Sequence, residues 1–378
     1  MSRISRRQFV KKAIITGTTL AAFPTILIPR TRAMWARKTT VHPNVDNLRV
    51  VGIIDPRMVK EQGRFPDWAG QEEIVVPGIV GENIDKLACT LTQMRNPEEA
   101  WRAIFIKPSQ KSWSDTVVAI KTNNVGQQHT HSAVMAKICN SLVLVGVRPS
   151  NIHIYDGIHG RWMNRNTPFA GLPDGCRVEG QWGGVTTPTV VSEPWKKKGG
   201  KVKCLKRLVD GSVDILINIA MCKEHFPVFG GFTMTMKNHF GTFDPQPAHA
   251  GAGRPGGDLT PAETTLGAFD YLLAINQTTE VLGPMDERTG KVLYPRQQLC
   301  LVDALWASEG GGIVRSPTHQ TNFLAMGVLS PVVDYLVATK FRGEKMGFQT
   351  ITETARRMLT DFGFNEGDLP AGGKIIGL

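Results

Sequence analysis

The chain has 378 residues and a formal charge of +11, with 41% hydrophobic and 20% charged residues. Residues 1–40 hold nine Lys or Arg and no acidic residue, which leaves 35 basic against 33 acidic residues in the remainder. That near-neutral body excludes an electrostatic case for nucleic-acid binding, which depends on clustered Lys and Arg, and its length is enough to bury a large core.

In chain order, the basic stretch comes first. Ser5-Arg6-Arg7-Gln8-Phe9-Val10-Lys11 places paired arginines two residues before a bulky apolar side chain and then a lysine. An apolar run from Ala13 to Ile28 follows, interrupted by Gly17 and Pro24. It falls short of the ~20 apolar residues a membrane span needs, and a basic start with a short apolar core is export-signal architecture. Residues 1–33 are therefore read as a signal, with Thr31-Arg32-Ala33 as the cleavage region, and residues 41–378 as one α/β domain with room for two lobes. The expected consequences are export through a twin-arginine translocase as partner, a periplasmic location and no stable membrane span after cleavage.

Strand and helix signals then alternate. Leu48–Ile54 predicts a strand, Glu82–Met94 and Pro97–Phe105 predict helices, and Thr116–Ile120 predicts a β-branched strand ending at Lys121. Ser132–Val145 has helical spacing, and Ile152–Tyr155 is the next strand, which makes a parallel strand–helix–strand unit. Residues 157–194 are rich in Gly, Pro, Asn and Trp and predict an irregular insertion. Val213–Ile219 predicts a buried strand, Phe232–Phe240 a short helix, Gln246–Pro261 a loop and Thr264–Asn276 a helix. Leu299–Leu305 predicts a strand, and Pro331–Thr339 and Ile351–Phe362 predict closing helices. The expected fold class is α/β, a mainly parallel sheet flanked by helices.

In open α/β sheets ligands bind beyond the carboxyl ends of the strands, so the polar residues at those ends define a candidate site. Lys121, Lys223 and Lys237 follow buried strands and suit a small anionic ligand, since Lys is rarely buried unless paired. A desolvated lysine also serves as base or nucleophile. Asp303, inside an apolar strand, needs a partner; pairing with a lysine would satisfy both. With Glu309 it is the acid/base candidate. Asn123, Asn238 and Asp156 are candidate substrate contacts. His129 and His131, two apart, and His225 are candidate ligands for a divalent metal, with Asp156 or His159 as a further ligand. The cofactor is otherwise unknown. Six cysteines, none in a CxxC pair, supply no iron–sulfur motif, and they are consistent either with buried thiols or with one or two disulfides. No GxGxxG after the first strand, P-loop, HExxH or GxSxG is present.

These segments resemble the family catalogued as domain of unknown function 362. Ile120-Lys121-Thr122-Asn123 is similar to its Ile-Lys-Pro-Asn segment, with Thr in place of Pro. Lys223-Glu224-His225 is similar to its Lys-Thr-His segment, and Met236-Lys237-Asn238-His239-Phe240-Gly241 to its Leu-Lys-Asn-x-x-Gly segment. Asp303 with Glu309-Gly310-Gly311-Gly312 corresponds to a later Asp-Gly…Glu-Gly-x-Gly pattern, and Asp334 to an Asp near the start of the next helix. The resemblance spans residues 118–343 and implies the same fold and site location. Cysteine-rich ferredoxin-like modules carried by many members are missing from this chain. Two functions are in contention: an exported enzyme on a small anionic substrate, metal-assisted if the histidines converge, and a non-catalytic binding or assembly factor for a periplasmic redox complex.

Overall fold

A computed structural model describes residues 41–157, 169–179, 186–190, 201–225, 229–244, 268–286, 288–289, 291–310, 315–349 and 352–378. Residues 1–40, His159, the Trp-containing stretch at 180–185 and 191–200, and the segment read as a loop over 246–261 lie outside the described residues.

The strands are β1 (Val51–Ile54), β2 (Val118–Lys121), β3 (Ile152–Tyr155), β4 (Arg177–Glu179), β5 (Thr186–Val190), β6 (Lys201–Leu205), β7 (Ile215–Glu224), β8 (Phe232–Thr233), β9 (Gln297–Ala307) and β10 (His319–Gly327). The main sheet has the order β1-β10-β9-β7-β2-β3-β4, with β8 paired to the end of β7 and with β5 and β6 forming a separate ribbon. Strands β9, β7, β2, β3 and β4 run parallel. Strand β10 is antiparallel to both of its neighbours, β1 and β9. The mainly parallel α/β architecture expected from the sequence is therefore present.

Helices cover both faces. The α1 (Trp68–Ile74), α2 (Pro77–Thr92), α3 (Pro97–Ile104) and α4 (Ser132–Val145) helices pack one layer, in which Ile84, Trp101 and Ile138 meet Ile120, Ile217, Leu301 and Leu305 of the sheet. The α5 (Thr235–Asn238), α6 (Ala268–Asn276), α7 (Ser330–Leu336) and α8 (Thr352–Thr360) helices lie with the opposite layer, where Leu272, Leu336 and Met358 meet Ala119, Val302 and Phe323. Alternate residues of one strand thus feed two cores, so strands covered on both faces read as continuous apolar runs. Helix boundaries follow local chemistry. Pro97 opens α3 behind Asn96, whose side chain accepts from Glu98 N at 2.8 Å, and Gly146 ends α4 in the left-handed region at φ 110°.

Two expectations change. The predicted helix over Phe232–Phe240 is a two-residue strand followed by the single turn α5, because Phe232 and Thr233 pair with Glu224 and Lys223. The insertion at 157–194 contains β4, which extends the sheet beside β3, and β5.

The chain leaves β2 through α4 to β3 and β4, then returns to β7 on the other side of β2. The carboxyl ends of β2 and β7 therefore flank the point at which strand order reverses, where open α/β sheets form their crevice.

Candidate functional site

Strand β2 ends on Lys121, which is 1% exposed. Its Nζ donates to Asp156 Oδ1 at 2.8 Å, to the carbonyl of Thr122 at 2.6 Å and to Asn238 Oδ1 at 3.2 Å. Asp156 follows β3, so the parallel pairing of Lys121 with Tyr155 brings the two charges together. Burial pushes the Lys121 amine below its usual value, and the charge of Asp156 opposes the shift.

Strand β7 ends beside it. Lys223, also 1% exposed, donates to Asn123 Oδ1 at 2.7 Å and to the carbonyl of Val125 at 2.8 Å. Both are neutral oxygens. Burial lowers its amine to about 7; Asp156 opposes this and the Lys121 charge adds to it. Asn123 joins the two lysines, because its Nδ2 donates to Asn238 Oδ1 at 3.3 Å.

Lys237 lies on α5, 7% exposed. Its Nζ sits 4.4 Å from the Phe229 ring centre and 4.0 Å from that of Phe240. Among the described residues no hydrogen-bond acceptor reaches it. Burial, with the nearby Lys121 charge, places its amine well below the usual lysine value. The ring contacts favour the ammonium by about 0.5–2 kcal/mol, whereas desolvating a buried ion costs several kcal/mol, so desolvation decides the balance.

The single turn α5 is held from behind. Asp334, near the middle of α7, accepts from Thr235 N and Met236 N, each at 2.8 Å, and from Thr235 Oγ1, which satisfies the orphan amides of the turn. Burial raises the Asp334 carboxyl to about 7 against those bonds. Asn238 Nδ2 donates to Asn218 Oδ1 at 2.8 Å and to the carbonyl of Ile219 at 3.0 Å, and Gln297 Oε1 lies 2.7 Å from His239 Nε2. Gly241 closes the turn at φ +114°, and a Cβ there would stand 2.7 Å from the Asp156 carbonyl and 3.0 Å from Gly157 Cα. Only glycine permits this backbone-to-backbone approach, which presses α5 against the Lys121–Asp156 pair.

Asp303 pairs with a histidine, in place of the expected lysine. It alternates with Leu301 and Leu305 toward the α2–α4 layer, whereas Lys121 alternates with Ala119 of the other layer. Asp303 Oδ2 accepts from His131 N at 2.8 Å and lies 2.9 Å from His131 Nδ1. The other ring nitrogen, Nε2, is 3.0 Å from Gln71 Oε1, an amide whose Nε2 donates to the carbonyl of Pro66. Both ring nitrogens face acceptors, the arrangement of an imidazolium. Burial alone would lower the His131 pKa; the charge of Asp303 and the hydrogen bond to it reverse the sign, and the net shift is upward.

Glu309 is also engaged away from the lysines. It forms an ion pair with Arg342, a fully buried guanidinium on the π-helix Val337–Lys345, and accepts from Gln349 N at 2.9 Å. Arg342 Nη1 donates in turn to the carbonyl of Ser308 at 3.2 Å. The three histidines do not converge: His131 is held by Asp303 and Gln71, the His129 ring packs 5.2 Å from Trp68, and the His225 ring packs edge-on against Phe229 at 4.6 Å. Burial lowers the His129 pKa to about 4. Among the described residues no group of three His, Cys, Asp or Glu side chains is placed to hold a metal ion.

The structure thus unites Lys121, Lys223, Asn123, Asn238 and Asp156 in one connected cluster, sets Lys237 next to it, and gives Asp303 and Glu309 other partners, His131 and Arg342. Asn218, a polar residue inside an apolar run, and Gln297, at the start of β9, belong to the supporting network and were not singled out from the sequence; for Asn218 its position in a buried strand is the signal that could have found it. Comparisons with family models, curated proteins and solved structures found no match to the chain.

Proposed function

We propose that the chain is an exported enzyme acting on a small anionic substrate, held at the carboxyl ends of β2 and β7 by Lys223 and Lys237. The observation that carries this reading is a buried charge imbalance. Among the described residues, the buried amines of Lys121, Lys223 and Lys237 lie near one carboxylate, Asp156, which bonds directly to Lys121. Among the described residues Lys223 bonds to neutral oxygens and Lys237 meets ring faces. A bound anion would supply the missing charge. An amine poised at about 7 also suits proton transfer near neutral pH. Lys121, Asp156, Asn123 and Asn238 then position the two working lysines, and Asp303 and Glu309 act as structural anchors.

Titration calorimetry with inorganic phosphate and a panel of small carboxylates tests the binding. The expected result is a one-site isotherm for the native protein that Lys223→Ala and Lys237→Ala each weaken at least tenfold. No isotherm with any anion sinks the reading. With a substrate in hand, folded Lys223→Ala abolishes turnover in an enzyme, whereas in a binding or assembly factor it weakens association only.

The export component rests on Arg6-Arg7 and the apolar run behind them. Replacing both arginines by lysine in a bacterial host is expected to retain the protein in the cytoplasmic fraction. Unchanged appearance in the periplasm would refute twin-arginine export.

A further inference from the structure

The three lysines of the site differ in what occupies their nitrogen. Lys121 Nζ is held by a carboxylate and two further oxygens. Lys223 Nζ is oriented by two acceptors. Lys237 Nζ has no acceptor among the described residues and lies between two phenylalanine faces. A nitrogen in apolar surroundings beside a fixed ammonium is favoured as the free amine, the form that carries the lone pair needed for attack.

We propose that Lys237 Nζ forms an imine with the carbonyl carbon of a small oxo acid. This rests on the anionic-substrate reading above and adds the class of substrate to it. The substrate carboxylate would meet Lys223, which is joined to the Lys237 backbone through Asn123 and Asn238 by two hydrogen bonds and one peptide link. In the covalent step the lone pair of Nζ attacks the carbonyl carbon and a C–N bond forms. The carbonyl oxygen takes up protons and leaves as water. Both hydrogens lost from the amine are accounted for in that water, and neither carbon nor nitrogen changes oxidation state, so no oxidant or reductant is needed. Phe229 and Phe240 would exclude bulk water and so oppose hydrolysis of the imine. Asp334 would act as a positioning residue, since it holds the turn on which Lys237 stands.

The test uses the full chain at neutral pH with pyruvate as probe and cyanoborohydride to reduce any imine, read by intact mass and peptide mapping. The expected result is one adduct, on Lys237, formed ahead of every exposed lysine and lost in Lys237→Arg, whose guanidinium cannot condense. Should Lys237→Arg fail to fold, the map of the native protein decides alone. An adduct absent from Lys237, or spread over exposed lysines, overturns the proposal. Calorimetry with phosphate on the same preparation separates the two readings: phosphate binding without the adduct removes the imine and leaves the anion site, and loss of both removes both.

Discussion

Replacing Asp303 by leucine tests the buried His131–Asp303 pair directly. Both side chains are fully buried. The substitution removes the acceptor of His131 N at 2.8 Å and of its Nδ1 at 2.9 Å, and an unsatisfied buried donor costs about 1–3 kcal/mol. Two such donors give about 2–6 kcal/mol, in line with the ~3–5 kcal/mol expected when one partner of a buried ion pair is deleted. Urea unfolding followed by tryptophan fluorescence measures the loss. The double variant His131→Leu, Asp303→Leu removes the stranded donors of the side chain and is expected to recover most of that loss. The pH dependence has a definite sign. The native pKa of His131 lies above its ordinary value of 6.5, so the native state binds the proton more tightly than the unfolded chain does. The stabilisation is complete below about 6.5 and is lost as pH rises through the raised native value. The gap between native protein and Asp303→Leu should therefore be widest in mildly acidic solution and shrink in alkali. A single variant that costs less than about 1 kcal/mol, or a gap that grows with rising pH, would refute the assignment of an imidazolium.

Other substitutions separate positioning from chemistry. Gly241→Ala puts a Cβ 2.7 Å from the Asp156 carbonyl at φ +114°; a loss of about 1–3 kcal/mol in urea unfolding is expected, together with weaker anion binding, and an unchanged midpoint would show that the turn is not pinned. Glu309→Gln weakens the pairing with Arg342 and should lower the unfolding midpoint while leaving phosphate affinity unchanged; a tenfold loss of affinity would return Glu309 to the site. Cys139 on α4 and Cys176 ahead of β4 are free thiols close enough to affect each other's ionisation, so protein recovered from an oxidising compartment should yield a linked pair of peptides carrying these two residues. Six titratable thiols in that material would exclude the bridge.

The parallel half of the fold was legible because its strands and helices are local signals. Ser132–Val145 and Ile152–Tyr155 were read at the boundaries observed. Strand β10 was missed: its sequence His319–Gly327 carries Gln, Thr and Asn in its first half, and its identity as a strand comes from pairing with β9 and β1 on either side. Of the π-helix Val337–Lys345 only the first three residues fall within the helix read over Pro331–Thr339, and nothing local signals the wider turns that carry Arg342. At the site, the three lysines and their two asparagines were visible as polar residues at strand ends. The partner of Asp303 was not, because choosing between a lysine and His131 requires knowing which face of β9 the carboxylate leaves from. A two-residue period tells that Asp303 shares a face with Leu301 and Leu305; only the packed helices tell which layer that face meets.

The pairing of β1 with β10, in which Val51 sits opposite Met326, has a consequence for how the molecule is made. Strand β1 finds its partner only once synthesis has reached residues 319–327 of 378, and the His131–Asp303 bond spans 172 residues. Contacts so distant in the chain arrive late and slowly. Until then β9 and β1 are unpaired along the edges that β10 will cover, and such open edges invite aggregation. The edges of β1 and β9 that face β10 are therefore the stretches of this sheet most exposed to wrong pairing before the chain is complete.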